Sequence, residues 1–398
     1  MKTLFTIGEK EDSDLCEAIN NLYKEPLKLV RLKAQSITAC LGCWNCWLKT
    51  PGRCAINDNL AESYRDYINS DTVILLMDTA QGFINHQAKA FLDRTIPHYH
   101  PYIEIVDGEC HHAARYERYP DLVFYYEKAG LTDREEQVIE DYLYRTAYHF
   151  RSNAYRITKE DNLKLHPLEP RKPSNGYIRF ASTEPMEKLV IYSGSPRRSR
   201  SNSGIILKRV IEALGGRVEV RDLKERDKWG EWAEAFKHEK DVMFFMPLYV
   251  HAMPSHVMAF IEKLEASEGS ISFFIQSGFH ESSQSHFLEA YFELLALRLD
   301  RTYLGTAIKG GVEGMQMRPA KAREKMVETM VKAIVTLVSE GRYNPKELQK
   351  LAEPVRFGAI MVVLFKLLSR IGLVNSFWDQ QLKKNNAFDQ SFDRPYNL

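Results

Sequence analysis

The sequence predicts an α/β protein built as two doubly wound, three-layer domains in tandem, each around a parallel sheet, with a helical extension behind them. Three observations carry this expectation. Short continuous apolar runs, the mark of parallel strands buried on both faces, alternate with helical spacing along the chain. The alternation begins twice, at Thr3 and again at Lys188. The 398 residues exceed one ordinary core and suit two.

In the first half, Thr3 to Ile7 reads as a strand, and Leu15, Ile19 and Leu22 give the next helix an apolar face that also holds Cys16. Leu27 to Leu32 is a second strand leading into a cysteine-rich loop. Asn57 to Asn69 reads as a helix capped by Asp58, Thr72 to Met77 as a buried strand, and His86 to Ile96 as a helix. Cys110-His111-His112 reads as loop. Leu122 to Tyr126 is a strand and Asp133 to Phe150 a long helix. These elements set the first domain at 1–157. Residues 158–186, with Pro167, Pro170, Pro173, Gly176 and Pro185, read as a linker holding at most a short strand at Tyr177 to Phe180.

The second domain spans 187–342. Its strands are Lys188 to Tyr192, Val218 to Leu223, Val242 to Met246, Ile271 to Gln276 and Tyr303 to Ile308. Helices fall at Ser201 to Leu214, Pro254 to Leu264, His286 to Arg298 and Ala320 to Ser339. Thr72 to Thr79 aligns with Asp241 to Leu248, each followed by a similar helix, so the halves read as duplicated domains. Residues 343–398 form a helical extension, very apolar from Phe357 to Leu368.

Composition narrows the function. A net charge of +1 argues against a nucleic-acid partner. The longest apolar run, Phe357 to Phe365, is about half of the roughly 20 residues that span a bilayer, so no transmembrane segment is expected. Six cysteines behind a start without signal-peptide character imply a reducing, cytoplasmic compartment. The apolar tail predicts a homodimer.

Three loops follow strand ends in the second half. Ser193-Gly194-Ser195-Pro196-Arg197 continues to Ser201-Asn202-Ser203 at the start of a helix, where free N–H groups and the dipole favour a phosphate. Gly194 supplies a tight turn, the serines and Asn202 supply donors, and Arg197 adds a planar charged fork. The loop is neither G-x-x-x-x-G-K-[ST] nor G-x-G-x-x-G. Pro247-Leu248-Tyr249-Val250-His251 and Ser277-Gly278-Phe279 end two further strands, and a doubly wound sheet converges all three loops on one crevice. A Ser- and Asn-rich loop of this kind suits a mononucleotide phosphate, with FMN the expected occupant. Tyr249 would pack on the ring and backbone amides would bond its edge. His251 and His280 stand beside that place.

With these residues, 188 to about 310 resembles the NADPH-dependent FMN reductase family of flavodoxin-like proteins, in which a GSPR…SN loop binds the FMN phosphate and a P-x-Y loop contacts the ring. The resemblance implies two flavodoxin-like sheets, FMN as cofactor and NAD(P)H as co-substrate. The tail from Phe377-Trp378 to Pro395-Tyr396 also resembles tails of bacterial members.

Cys40, Cys43, Cys46 and Cys54, spaced C-x2-C-x2-C-x7-C, are closer to ferredoxin loops than to a zinc ribbon. With Gly42, Gly52, Asn57 and Asp58 they resemble the cluster motif of iron–sulfur flavoproteins. A [4Fe–4S] centre, a zinc site and a loop of unligated thiols stay open as readings. Trp44 and Trp47 would shield a cluster. The first half has these cysteines but, in place of a phosphate loop, Gly8-Glu9-Lys10-Glu11-Asp12, whose carboxylates repel phosphate. The expected function is an FMN-dependent NAD(P)H oxidoreductase passing electrons to a quinone, a free flavin or another small acceptor, or through a cysteine-bound centre. The alternative is a flavodoxin-like electron carrier that does not oxidise NAD(P)H itself.

Overall fold

The computed structural model describes residues 1–8, 13–33, 37–170, 181–197 and 201–397. Two compact units divide the chain: residues 1–172 with 358–398, and residues 173–357.

The first unit opens with β1 (Lys2–Ile7), α1 (Ser13–Tyr23), β2 (Lys28–Leu32) and three short helices, α2 (Asn45–Leu48), α3 (Asn59–Glu62) and α4 (Tyr64–Ile68). Next come β3 (Thr72–Leu76), a small hairpin of β4 (Thr79–Ala80) and β5 (Phe83–Ile84), then α5 (His86–Asp93). A longer hairpin, β6 (Tyr99–Val106) with β7 (Glu109–Ala114), precedes β8 (Asp121–Tyr125), α6 (Asp133–His149), β9 (Ala154–Ile157) and β10 (His166–Pro167). The sheet runs β10-β9-β8-β3-β1-β2. The four pairings from β9 to β2 are parallel, and β10 is an antiparallel edge. Counted in chain order the parallel strands lie 2-1-3-4-5, the flavodoxin-like arrangement. Alternate residues serve opposite faces. Leu4, Ile74 and Val123 share a core with Ile19 of α1, while Phe5 packs edge-on to Phe91 of α5 at 5.3 Å.

The second unit comprises β11 (Leu189–Ser193), α7 (Asn202–Leu214), β12 (Val218–Asp222), α8 (Trp229–Phe236), β13 (Asp241–Pro247), α9 (Ser255–Ile261), β14 (Ser270–Gln276), α10 (Ser283–Arg298), β15 (Thr302–Lys309), α11 (Ala320–Glu340) and α12 (Pro345–Ala352). Its order β12-β11-β13-β14-β15 is wholly parallel and again 2-1-3-4-5. Ile191, Met243 and Phe245 face α7 and α11 in one core. From the other face Tyr192, Phe244, Phe273 and Phe292 of α10 stack in sequence, the last pair at 3.9 Å. Of residues 343–398, α12 lies in this unit, whereas α13 (Ala359–Arg370) and α14 (Ser376–Lys384) lie in the first.

Several expectations need correction. Cys110-His111-His112 is strand, not loop: it lies in β7, paired with Ile105, Glu104 and Ile103. The helix read over Asn57 to Asn69 breaks in two at Ser63, although Asp58 does cap it, accepting from Ala61 N at 3.1 Å. Leu22 is 40% exposed and does not join the buried face of α1. The start of the Pro-rich stretch pairs with β9 as β10, where Pro167 is tolerated because the strand is an edge. The strand expected at Tyr177 to Phe180 and residues Glu9 to Asp12 lie outside the described residues.

Candidate functional site

At the carboxyl end of β11 the chain leaves toward β12, and at that of β13 toward β14, so the sheet order reverses between them. An open α/β sheet has its ligand crevice at such a point. Ser193 ends β11, and its carbonyl accepts from Leu223 N at 3.0 Å. Gly194 N donates to Phe245 O at 2.8 Å, and a Cβ at Gly194 would meet Val257 Cγ2 at 2.4 Å. The loop therefore lies against α9 only because it has no side chain there. Ser195 is buried, and Pro196 and Arg197 are half-buried. Arg198, Ser199 and Arg200 lie outside the described residues.

Ser201 is the N-cap of α7 and accepts from Gly204 N at 3.1 Å. A capping serine accepts through oxygen and keeps its proton to donate. Asn202 Nδ2 donates to Val312 O at 2.6 Å and Glu313 O at 3.2 Å, and Asn202 Oδ1 accepts from Gln316. The Asn202 side chain thus ties α7 to the segment after β15. Ser203 Oγ accepts from the Gln276 amide. Arg197 Nη1 donates to Glu313 Oε1 at 2.5 Å, and Lys224 Nζ holds the Arg197 carbonyl at 2.7 Å. Glu313 had no signal in the sequence, because its partner is 116 residues away.

Pro247 ends β13, and Leu248 N donates to Gln276 O at 2.8 Å. Tyr249 and Ala252 exchange N–H···O bonds of 2.9 and 3.0 Å. Between them Val250 and His251 have φ of 38° and 60°, both left-handed. A β-branched residue there is strained, and such strain gathers at ligand clamps and active sites. Tyr249 is half-buried and His251 buried. On the third loop Ser277 Oγ donates to Phe279 O at 3.1 Å, and Gly278 is exposed. Gly311 N holds Phe279 O at 2.7 Å, with Gly310 so close that a Cβ would meet His280 O at 2.2 Å. Burial, then Arg318, pushes the His280 pKa down.

Among the described residues, Gln276 Oε1 and His256 Nε2 are buried here with no hydrogen-bond partner. His256, not anticipated from sequence, sits in the first turn of α9 and bonds the Gly194 backbone. Burial, then Arg226, pushes its pKa down to about 3, so it is neutral. The serine hydroxyls, the Arg197 guanidinium and the N-terminus of a 13-residue helix suit a phosphate monoester, with Glu313 as the opposing charge.

In the first unit, positive φ at Gly42, Trp44 and Gly52 turns the cysteine loop. Cys46 is buried, Cys40 and Cys54 are half-buried, and Cys43 is exposed. Gly42 N and Ile56 N each donate to a sulfur two residues back, Cys40 Sγ and Cys54 Sγ, at 3.5 Å. Arg94, 1% exposed, donates to Cys54 Sγ at 3.4 Å and to both Asp58 oxygens. Burial would raise the Asp58 pKa, but Arg94 outweighs it and holds the carboxyl below its usual range. Burial, then the Asp93 charge, pushes Cys40 up to about 12, and burial pushes Cys46 well above its ordinary value. All three other thiols act on Cys46 electrostatically. Binding a cationic centre would release these protons. No three of the four sulfurs lie within 4.8 Å of one another.

The C-terminal segment closes over this loop. Trp378 packs edge-on against Trp44 at 5.2 Å and Trp47 at 5.5 Å, and Arg53 lies over Tyr396 at 5.7 Å. Gly52 meets Pro395 so closely that a Cβ would come within 2.8 Å. Arg115 Nη1 grips the carbonyls of Ser391 and Asp393 at 3.0 and 2.8 Å.

Glu109, His111 and His149 also gather, buried, with ligand atoms within 4.8 Å. The two imidazoles stack 3.9 Å apart at an interplanar angle of 6°. A single ion cannot lie in the planes of both rings, which is where an imidazole nitrogen binds a metal, so the stacked pair is a poor metal site.

No protein-family model matches the sequence, and no curated protein matches it significantly. Solved structures similar to parts of the chain include an NADPH-quinone reductase from P. pentosaceus, at 15% identity over 37% of this chain and 96% of that one, TM-score 0.29. Another is general stress protein 14 from Treponema denticola in complex with FMN, at 13% identity over 38% and 97%, TM-score 0.31. A third is an FMN-dependent NADH-azoreductase from Bacillus anthracis in complex with FMN, at 12% identity over 39% and 100%, TM-score 0.30.

Proposed function

We propose that the protein is an FMN-dependent NAD(P)H oxidoreductase that delivers electrons to a small acceptor such as a quinone. The observation that carries the reading is the Ser/Arg loop from Ser193 to Ser203, set where the order of a 2-1-3-4-5 parallel sheet reverses. Arg197, Ser201 and the N-terminal amides of α7 would hold the FMN phosphate, Arg197 exchanging its Glu313 partner for it. The loops Pro247 to His251 and Ser277 to Phe279 would flank the ring, Tyr249 packing on its face and limiting water. Bound there, FMN supplies a ring that accepts hydride and releases electrons singly or in pairs. Side chains then need only bind and orient, and neutral His256 braces the Gly194 turn. In the first unit, Cys40, Cys43, Cys46 and Cys54 would hold an iron–sulfur centre supplying one-electron transfer, with Arg94 and the amides of Gly42 and Ile56 bonding its sulfurs.

The test is anaerobic purification with flavin and iron quantified, followed by FMN and riboflavin titration and NAD(P)H oxidation with a quinone. Stoichiometric FMN, binding weaker for riboflavin, and turnover support the reading. FMN binding without NAD(P)H oxidation reduces the protein to an electron carrier. No flavin uptake ends the assignment, and iron-free protein with full turnover ends the iron–sulfur part.

A further inference from the structure

We infer that α13 is a membrane-surface helix that docks the protein on an anionic lipid bilayer. Of 16 exposed large apolar side chains among the described residues, eight fall between Val355 and Leu373. Ile360, Val363, Leu364, Leu367 and Ile371 stand at i, i+3, i+4, i+7 and i+11, one stripe of a helix, and are 85%, 58%, 45%, 54% and 68% exposed. Val362, Phe365 and Leu368 on the opposite side are half-buried, and the helix packs on β6 of its own unit. The stripe therefore faces outward because its other side is already used. Contiguous outward apolar surface of this kind marks an interaction site rather than chance exposure.

Charge decides the occupant. From Pro354 to Trp378 the charged residues are Arg356, Lys366 and Arg370, with no carboxylate. Lys366 and Arg370 are one helical turn apart and flank the stripe on one edge. An apolar face edged by cations is complementary to acyl chains beneath phosphate headgroups. With 12 residues the helix is ~18 Å long. No helix among the described residues is long and apolar enough to cross a membrane, so α13 would lie in the interface plane. A second copy paired antiparallel through the stripe would set Lys366 and Arg370 on the same edge as their own counterparts, with no carboxylate on either helix to offset them.

The experiment is co-sedimentation of the full chain with phosphatidylglycerol/phosphatidylcholine vesicles and with phosphatidylcholine vesicles. Light scattering is run without lipid. Wild type is expected to pellet with the anionic vesicles, less with the neutral ones, and less as salt rises. Leu367→Asp should lower binding about tenfold or more, and Lys366→Gln with Arg370→Gln about tenfold on anionic vesicles only. Leu367 is exposed, so an unchanged circular dichroism spectrum and melting temperature are expected of its variant. Pelleting no greater with vesicles than without them overturns the inference, as does equal binding by Leu367→Asp. A vesicle-free dimer that Leu367→Asp turns into a monomer makes the face a subunit contact and overturns it as well.

Discussion

Replacing Glu313 by Gln is expected to tighten FMN binding, although Glu313 is the visible partner of Arg197. The two side chains are 35% and 28% exposed, so the pair itself contributes ~0–1 kcal/mol and breaking it costs little. A phosphate bound by Arg197 would stand ~5 Å from the carboxylate. Unit charges at that distance repel by ~1–3 kcal/mol between bulk water and a protein-surface dielectric. Exposure and salt place the effect near the lower end, ~1 kcal/mol or about fivefold in Kd. Arg197→Ala should weaken FMN about tenfold or more, since a charge-assisted bond contributes ~1.5–3 kcal/mol. Flavin fluorescence titration at fixed ionic strength measures both, with riboflavin as the control that lacks the phosphate. Weaker FMN binding by Glu313→Gln, or an equal change for riboflavin, refutes the assignment of Arg197 to the phosphate.

Gly194→Ala puts a methyl 2.4 Å from Val257 Cγ2 and should destabilise the second unit by ~1–3 kcal/mol, with Val257→Ala restoring most of it in thermal melts. Arg94→Ala leaves Asp58 without its ion partner and should cost ~3–5 kcal/mol in urea unfolding of iron-free protein. His98 and His256 are buried, and burial lowers each from 6.5 to about 3. The native state then binds fewer protons than the unfolded chain between those values. Stability is therefore complete above the ordinary histidine pKa and falls with pH below it, by up to ~1.4 kcal/mol per pH unit for each group. A urea midpoint that stays flat from pH ~7.5 to ~5 would contradict this linkage.

The strands were legible because a parallel strand covered on both faces is apolar throughout. Val242 to Met246 and Ile271 to Gln276 could hardly be read otherwise. The loops after them followed from the topology of the sheet. The hairpin from Tyr99 to Ala114 was not legible: Pro101, Cys110, His111 and His112 carry no alternation of apolar and polar residues, and pairing between neighbouring segments holds it. The two-part helix before β3 turns at Ser63, a residue of helical φ that gave no break signal. In the site, positions were readable but partners were not. Asn202 looked like a ligand donor, yet its amide spans to Val312 and Glu313, more than a hundred residues on. Arg94 at the cysteine loop was silent for the same reason, as one guanidinium in a polar stretch until the chain folds around it.

The lid over the cysteines is the last part of its unit to be made. Trp378, Pro395 and Tyr396 follow the entire second unit in the chain, while the thiols they cover precede it. During synthesis the loop emerges before the whole of residues 173–357, and its cover only after them. Until Trp378 and Tyr396 have been made, the four thiols lack this aromatic cover, so a chain cut short before Trp378 is expected to leave them open to oxidants and thiol reagents.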